Sequence, residues 1–230
     1  MKKALLLVSA AVSVVMFALP AGASAKSWDM DWNNGNHSKP LPFTIDGTAA
    51  PRLTAHNGET VECSVVNGQG EYTTTTTGSI QLVLHGCIYP AAGISCRSGT
   101  SPAGTIETTV LPFHNVYSTH NGKEYPGILV TPGNNEHFSS FFCTIFGIGV
   151  HFKTTGNGVI GQVEKCGDLT TTSLNFESAG PGTQTLTEWT GTTYDRKWSK
   201  NGGAPITVSQ DRTEDIQFPE TVNATCIIPA

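Results

Sequence analysis

This sequence is poor in charge: Asp, Glu, Lys and Arg make up 13% of its 230 residues. A long amphipathic helix needs a polar face, normally built from Glu and Lys, together with strong helix formers. Outside the first twenty-five residues no window of a dozen shows apolar positions at i, i+3, i+4 and i+7, which excludes a helical domain. Basic clusters are also missing. The densest group, Arg196, Lys197 and Lys200, is too sparse to follow a phosphate backbone, so no nucleic-acid partner is expected. Local catalytic motifs are absent as well: no Gly-x-Ser-x-Gly, His-Glu-x-x-His or Ser-x-x-Lys, no P-loop, and no Gly-x-Gly-x-x-Gly opening a helix. Without a Cys-x-x-Cys pair, neither a zinc site nor a redox centre is expected, and the sequence calls for no cofactor or metal.

What is present begins with an address. Lys2 and Lys3 precede an apolar run from Ala4 to Leu19, and Ala23-Ser24-Ala25 has the small-x-small pattern of a signal-peptidase site. Residues 1–25 are therefore expected to be a signal peptide, with the mature chain starting at Lys26. The run is shorter than the roughly 20 residues that span a bilayer and nothing later replaces it, so no membrane span is expected. Without Lys2 and Lys3 the chain carries 11 basic against 18 acidic residues, an acidic balance that disfavours anionic partners. All six cysteines lie beyond the leader, an even number suited to an oxidising compartment. A secreted, extracellular protein is the expectation.

Threonine and glycine are abundant, and branched Thr suits a pleated surface. Residues 26–42 show no period and close on Pro40 and Pro42, which reads as a flexible N-terminal arm whose Trp28 and Trp32 dock on the domain. From Phe43 onward short alternating segments are broken by Asn57-Gly58, Asn67-Gly68, Asn121-Gly122 and Asn201-Gly202, the φ > 0 pairs of tight hairpins. Ile80, Leu82 and Leu84 share one face, as do Ile148, Val150 and Phe152. Residues 43–230 thus read as a single all-β domain. The expected fold is one antiparallel β-sandwich or β-barrel of about a dozen short strands, braced by disulfides. Thr73 to Thr77 reads as a strand with hydroxyls on both faces or as an exposed edge.

Six cysteines admit fifteen pairings. The short Pro/Gly-containing stretch between Cys87 and Cys96 favours that pair. Cys143–Cys166 across Gly156-Asn157-Gly158 comes next, leaving Cys63–Cys226 to tie the ends. Each bridge stabilises by roughly 2–4 kcal/mol, mainly through the unfolded state.

Histidine is the residue type that leans toward a site. Five of seven fall between positions 85 and 151: His85, His114, His120, His137 and His151. Neutral imidazoles exchange protons or ligate metals near neutral pH, so convergence of these five would make a catalytic centre. No His-x-His or His-x-x-x-His spacing brings them together, and solvent-facing histidines are the plainer reading. Carboxylate groups such as Glu59/Glu62 or Asp211/Glu214/Asp215 suit glycoside hydrolysis if held about 5–10 Å apart, and solvated strand ends otherwise. Trp189, Tyr194, Arg196 and Trp198 offer a different chemistry. Tyr194, Arg196 and Trp198 share strand parity, giving aromatic faces with a cation for stacking on a ligand, with core packing as the alternative.

The run Glu71-Tyr-Thr-Thr-Thr-Thr-Thr-Gly-Ser-Ile-Gln-Leu-Val-Leu-His-Gly-Cys87 is followed by Ile94-Ser-Cys96, Ala103-Gly-Thr-Ile106, Leu111-Pro-Phe113 and Gly127-Ile-Leu-Val-Thr-Pro132. Gly158-Val-Ile-Gly161 and Asn201-Gly-Gly-Ala204 complete the series. In that order these segments resemble an uncharacterised family of exported actinobacterial all-β proteins with no established activity. The resemblance implies an exported location and a single β-domain, and carries no site residues. The leading expectation is a secreted, non-catalytic domain binding a glycan, lipid or protein of the envelope or its exterior. Two alternatives stand beside it: a secreted hydrolase or isomerase using a histidine/carboxylate site, and a barrel carrying an apolar small molecule.

Overall fold

Alternation of apolar and polar residues, repeated from segment to segment, lays this chain down as antiparallel strands. The computed structural model describes residues 26–47, 49–133, 136–145 and 148–229. The expected signal peptide, residues 1–25, lies outside the described residues. The first strands are Asp29–Asp31 (β1), Leu41–Gly47 (β2), Arg52–Ala55 (β3), Thr60–Glu62 (β4), Val65–Tyr72 (β5), Thr77–His85 (β6) and Ile88–Tyr89 (β7). Next come Ile94–Arg97 (β8), Ile106–Glu107 (β9), Leu111–His120 (β10), Lys123–Val130 (β11), Ser139–Ile145 (β12), Ile148–Gly156 (β13) and Val159–Val163 (β14). The last are Gly167–Phe176 (β15), Ser178–Gly180 (β16), Thr183–Gln184 (β17), Glu188–Trp189 (β18), Thr192–Thr193 (β19), Arg196–Lys200 (β20) and Ile206–Thr225 (β21).

Seventeen strands belong to one hydrogen-bonded sheet, and their pairings close on themselves twice. In ring A the order is β2, β5, β6, β10, β11, β14, β15 and β21, and β21 returns to β2. In ring B the order is β3, β4, β7, β8, β12, β13, β20 and β21, and β21 returns to β3. Every pairing is antiparallel. The 20-residue strand β21 is common to both: Ile206 to Asp211 pair within ring B, and Arg212 to Gln217 within ring A. Neither ring is a regular barrel: ring A narrows to two residue pairs at β14–β15, and ring B to one at β4–β7 and two at β8–β12. The antiparallel, disulfide-braced all-β class expected from the sequence is what the chain adopts, with more strands and lengths from two to 20 residues.

The inward faces fill with rings. Phe43, Tyr72, Phe113 and Phe218 meet inside ring A, with centroids 4.9–6.1 Å apart. Phe152 does the same in ring B, 5.5 Å from Tyr89, 5.3 Å from Phe141 and 4.9 Å from Trp198. Such offset and edge contacts add to the apolar area each ring buries. Together these side chains form one continuous core across both rings.

Residues 26–42 anchor on that core, with Trp28 and Trp32 docked as expected, while 33–40 stay mostly exposed. Trp28, Met30 and Trp32 are all buried, and β1 pairs with the end of β21. Trp28 Nε1 donates to Gly127 O at 3.0 Å, and the buried Asn115 amide donates to Trp28 O at 3.1 Å. Asn115 Oδ1 in turn accepts from the Tyr72 hydroxyl, which satisfies a polar group that desolvation makes costly to leave alone. Most of the threonine tract is a turn, and Thr77 opens β6. Thr73 to Thr76 make the bend between β5 and β6, where Met30 N donates to Thr75 O.

All six cysteines pair, as Cys63–Cys87, Cys96–Cys143 and Cys166–Cys226. The three pairings expected from the sequence are therefore corrected. Cys87 and Cys96 are close, with Cys96 N donating to Cys87 O at 2.9 Å, yet each turns to a different partner. Cys143 is the register partner of Cys96 across β8 and β12, and Gly167 stands opposite Ala224 beside Cys166 and Cys226. Sheet neighbours set the pairing, and separation along the chain does not. Three of the four Asn-Gly pairs lie in turns, as at Asn121-Gly122, where both φ values are positive (51° and 75°). Asn67-Gly68 instead lies inside β5.

Candidate functional site

The outer face of ring A carries an open groove built by strand alternation. On β2, Leu41, Phe43 and Ile45 point in while Pro42, Thr44 and Asp46 point out; on β6, Ile80, Leu82 and Leu84 point in while Ser79 and Gln81 point out. Residues Asn67, Gln69 and Glu71 of β5 and Asp215 and Gln217 of β21 complete the outward set. Register then aligns them. Gln217 stands opposite Thr44, Thr44 opposite Gln69, and Gln69 opposite Gln81, a row of amides and one hydroxyl across four adjacent strands. The row lies in a groove of about 600 Å³ edged by Pro42, Val110 and Pro219.

Neighbouring polar groups fix part of this row. Asp46 accepts from Asn67 Nδ2 at 3.0 Å and from Gln217 Nε2 at 2.9 Å, and Gln81 Nε2 donates to Thr108 O at 3.4 Å. Glycine makes the strand spacing beneath the groove possible. A Cβ on Gly70 would lie 2.4 Å from the Phe43 ring and 2.5 Å from Ser79 O. The groove offers neutral donors and acceptors, with the exposed carboxylate of Glu71 at its side; the Phe43 and Phe218 rings that reach its floor are themselves buried.

A second polar assembly is internal. The inward parity of β21 runs Val208, Gln210, Arg212, Glu214, Ile216 and Phe218, all buried. Arg212 Nε and Glu214 Oε1 are 2.8 Å apart as an ion pair, though the N–H is not aimed well enough for a hydrogen bond. Arg212 lies 4.3 Å from the Phe176 ring centroid, and Arg196 from β20 lies 4.8 Å from that of Phe138. Arg196 Nη1 donates to Gln210 Oε1. Burial, with Arg212 nearby, lowers the Arg196 pKa to about 9, which still leaves it charged at neutral pH. Burial also raises the Glu214 carboxyl, against the pull of Arg212. The group Asp211/Glu214/Asp215, read as solvated ends or a catalytic pair, is split by strand parity: Glu214 faces in, and its neighbour Asp215 faces out to accept from Ser173 Oγ.

Glu59 and Glu62 are likewise separated. Glu59 Oε1 accepts from Tyr89 Oη at 2.7 Å and from Lys200 Nζ at 2.5 Å, while Glu62 pairs with Arg52. The hydrogen bond from Lys200, then that from Tyr89, holds the Glu59 pKa down to about 2, so it stays ionised. This triad ties β20 to the start of β4 across the mouth of ring B.

The five candidate histidines are spread over both rings. His85 lies on β6 opposite Val65, and His114 on β10, 6.4 Å from the Trp189 ring. His120 sits at the β10–β11 turn against Asn121, and His151 on β13, bonded to Ser140 Oγ at 2.8 Å and stacked on Phe142. His137 precedes β12, where its carbonyl accepts from Thr109 Oγ1. Among the described residues no group of three or more His, Cys, Asp and Glu could hold a metal ion. A close His–carboxylate contact occurs elsewhere, between His37 Nε2 and Asp31 Oδ1 at 2.7 Å.

The four residues expected to form a stacking surface divide between two places. Arg196 and Trp198 point inward and are buried. Trp189 and Tyr194 lie outside ring A, packed with Leu186 over Val116, Leu129 and Ile160. They cover an apolar patch on β10, β11 and β14, so their role here is packing. Sequence reading missed the groove row and the buried Arg196–Gln210–Arg212–Glu214 group. No local pattern marks the second, because Gln210 to Asp215 are all polar. No helix among the described residues is long and apolar enough to cross a membrane. Comparison with models of known families, with curated proteins and with solved structures finds no match, so the functional reading rests on this geometry.

Proposed function

We propose that this chain is an exported, non-catalytic binding domain that holds a neutral glycan of the cell envelope in the outer groove of ring A. The carrying observation is the in-register row Gln217–Thr44–Gln69–Gln81 across four strands. Amides donate and accept as sugar hydroxyls do, and Asp46 and Glu71 beside the row accept further hydroxyl protons. An acidic chain with few exposed cations is a poor surface for phosphate-bearing polymers or anionic lipid. Without stacking rings, affinity rests on several modest hydrogen bonds, each net about 0.5–1.5 kcal/mol. Three disulfides and the leader-like first twenty-five residues support an extracellular setting. A carrier of apolar molecules is disfavoured by ring interiors that aromatic side chains occupy.

The test is isothermal titration against neutral envelope polysaccharides, with an anionic polymer and anionic vesicles as comparisons. Binding is expected for a neutral polysaccharide, with at least about a tenfold loss in the double variant Gln69→Ala/Gln217→Ala, the size of two such bonds. Both side chains are exposed, so thermal stability should stay unchanged. Heat only with the anionic ligands, or wild-type affinity in the double variant, would refute the assignment.

A further inference from the structure

Where the two rings exchange partners along β21, the interior charge does not balance. Arg196 and Arg212 bring two guanidiniums into it, and Glu214 brings one carboxylate, already taken by Arg212. Among the described residues no carboxylate pairs with Arg196, whose Nη1 is bonded to the neutral Gln210 amide. A guanidinium keeps its proton at neutral pH, and a buried cation without a counter-charge is strongly unfavourable.

Hydrogen bonding points the same way. Arg196 Nε and Gln210 Nε2 are buried donors without a partner in the protein. Thr108 Oγ1 accepts the Leu82 N–H, which leaves its own O–H to donate. These three residues and Arg212 line one cavity of about 20 Å³ whose other walls include the apolar Leu84 and Phe141. A cavity of that size holds roughly one water-sized particle and is too small for sulfate or phosphate. Apolar walls lower the local dielectric, so a charge there is weakly screened.

We propose that Arg196, Gln210 and Thr108 form a binding site for one small monovalent anion of chloride size, which supplies the counter-charge of Arg196. The site is structural and independent of the outer groove: it braces the segment of β21 that both rings share.

Thermal unfolding of the full folded chain in chloride, bromide or gluconate at one ionic strength tests this. The melting temperature is expected to climb with the logarithm of chloride or bromide concentration. The gain over gluconate should reach about 5 °C once the halide is about a hundredfold above its dissociation constant. Arg196→Met should erase the difference. Because that variant risks misfolding, crystals of the unaltered protein grown in bromide provide a second readout, an anomalous peak within about 3.5 Å of Arg196 Nε and Gln210 Nε2. Equal melting in chloride and gluconate, or bromide density only elsewhere on the molecule, would overturn the site.

Discussion

Ring A and ring B close by different means. Ring A has ladders of eight residue pairs at β5–β6 and again at β10–β11, and one thin seam, two pairs at β14–β15, that no bridge crosses. Ring B has seams of one pair at β4–β7 and two pairs at β8–β12. Those thin seams are where the bridges sit. Cys63 follows β4 and Cys87 precedes β7, while Cys96 and Cys143 are register partners on β8 and β12. Cys166–Cys226, by contrast, lies beside the long β15–β21 ladder. A covalent link here substitutes for backbone pairing where the pairing is short, and repeats it where the pairing is long.

The largest expected effect separates these two roles. Loop-closure entropy alone favours the bridge with the longest separation: about 4.3 kcal/mol for the 60 residues of Cys166–Cys226 and about 4.1 kcal/mol for the 47 of Cys96–Cys143. The comparison of seams predicts the opposite order. Denaturant unfolding of C96A/C143A and of C166A/C226A decides it, with the first double variant expected to lose more. An equal or larger loss in the second would break the distinction between the rings.

A second experiment sharpens the point at which the rings join. Arg212→Met leaves Glu214 buried without its cation and should cost about 3–5 kcal/mol, whereas Arg212→Met/Glu214→Leu should recover most of that. Fluorescence would follow Trp28 at one end of ring A and Trp198 inside ring B. Both rings should melt in a single shifted transition, and two separate transitions would show that the shared strand does not couple them.

The smallest effect concerns the mouth of ring B. The Glu59 pKa is held at about 2, below its ordinary 4.5, by Lys200 and Tyr89. A depressed carboxyl pKa stabilises the fold above the ordinary value, and that stability is lost as pH falls from 4.5 toward 2. The pair is partly exposed and screened, so about 1 kcal/mol is expected. Lys200→Met should flatten this part of the pH–stability curve. An unchanged curve would mean that the triad contributes nothing to closing the ring.

Much of the fold was legible because alternation reports burial. Ile80, Leu82 and Leu84 are buried as their period requires, and Val159 to Val163 is a strand with the expected bounds. Where a strand outruns the body of the protein the same rule fails: Ile148 has the parity of Phe152 yet is 79% exposed. The single strand β21 reads as three pieces in the sequence, since Gln210, Arg212 and Glu214 look like a solvated break. They occupy inward positions because Gln210 meets Arg196 of β20 and Arg212 pairs with Glu214 inside the core, contacts that no pattern of apolar residues announces. The groove row was equally hidden, because register between β21, β2, β5 and β6 is set by ring closure. His114 and His120 both ride on β10, a strand that Pro112 hides in the sequence: it stands opposite Ser79 without ending the strand.

The shared β21 also governs how this chain can acquire its shape. Both circuits need residues 206–217 before they can shut, so two sheets stay open until that segment meets β2 and β3, far earlier in the sequence. Contacts this distant in sequence make for slow acquisition of native structure. Until they form, both sheets carry unpaired edges open to wrong partners.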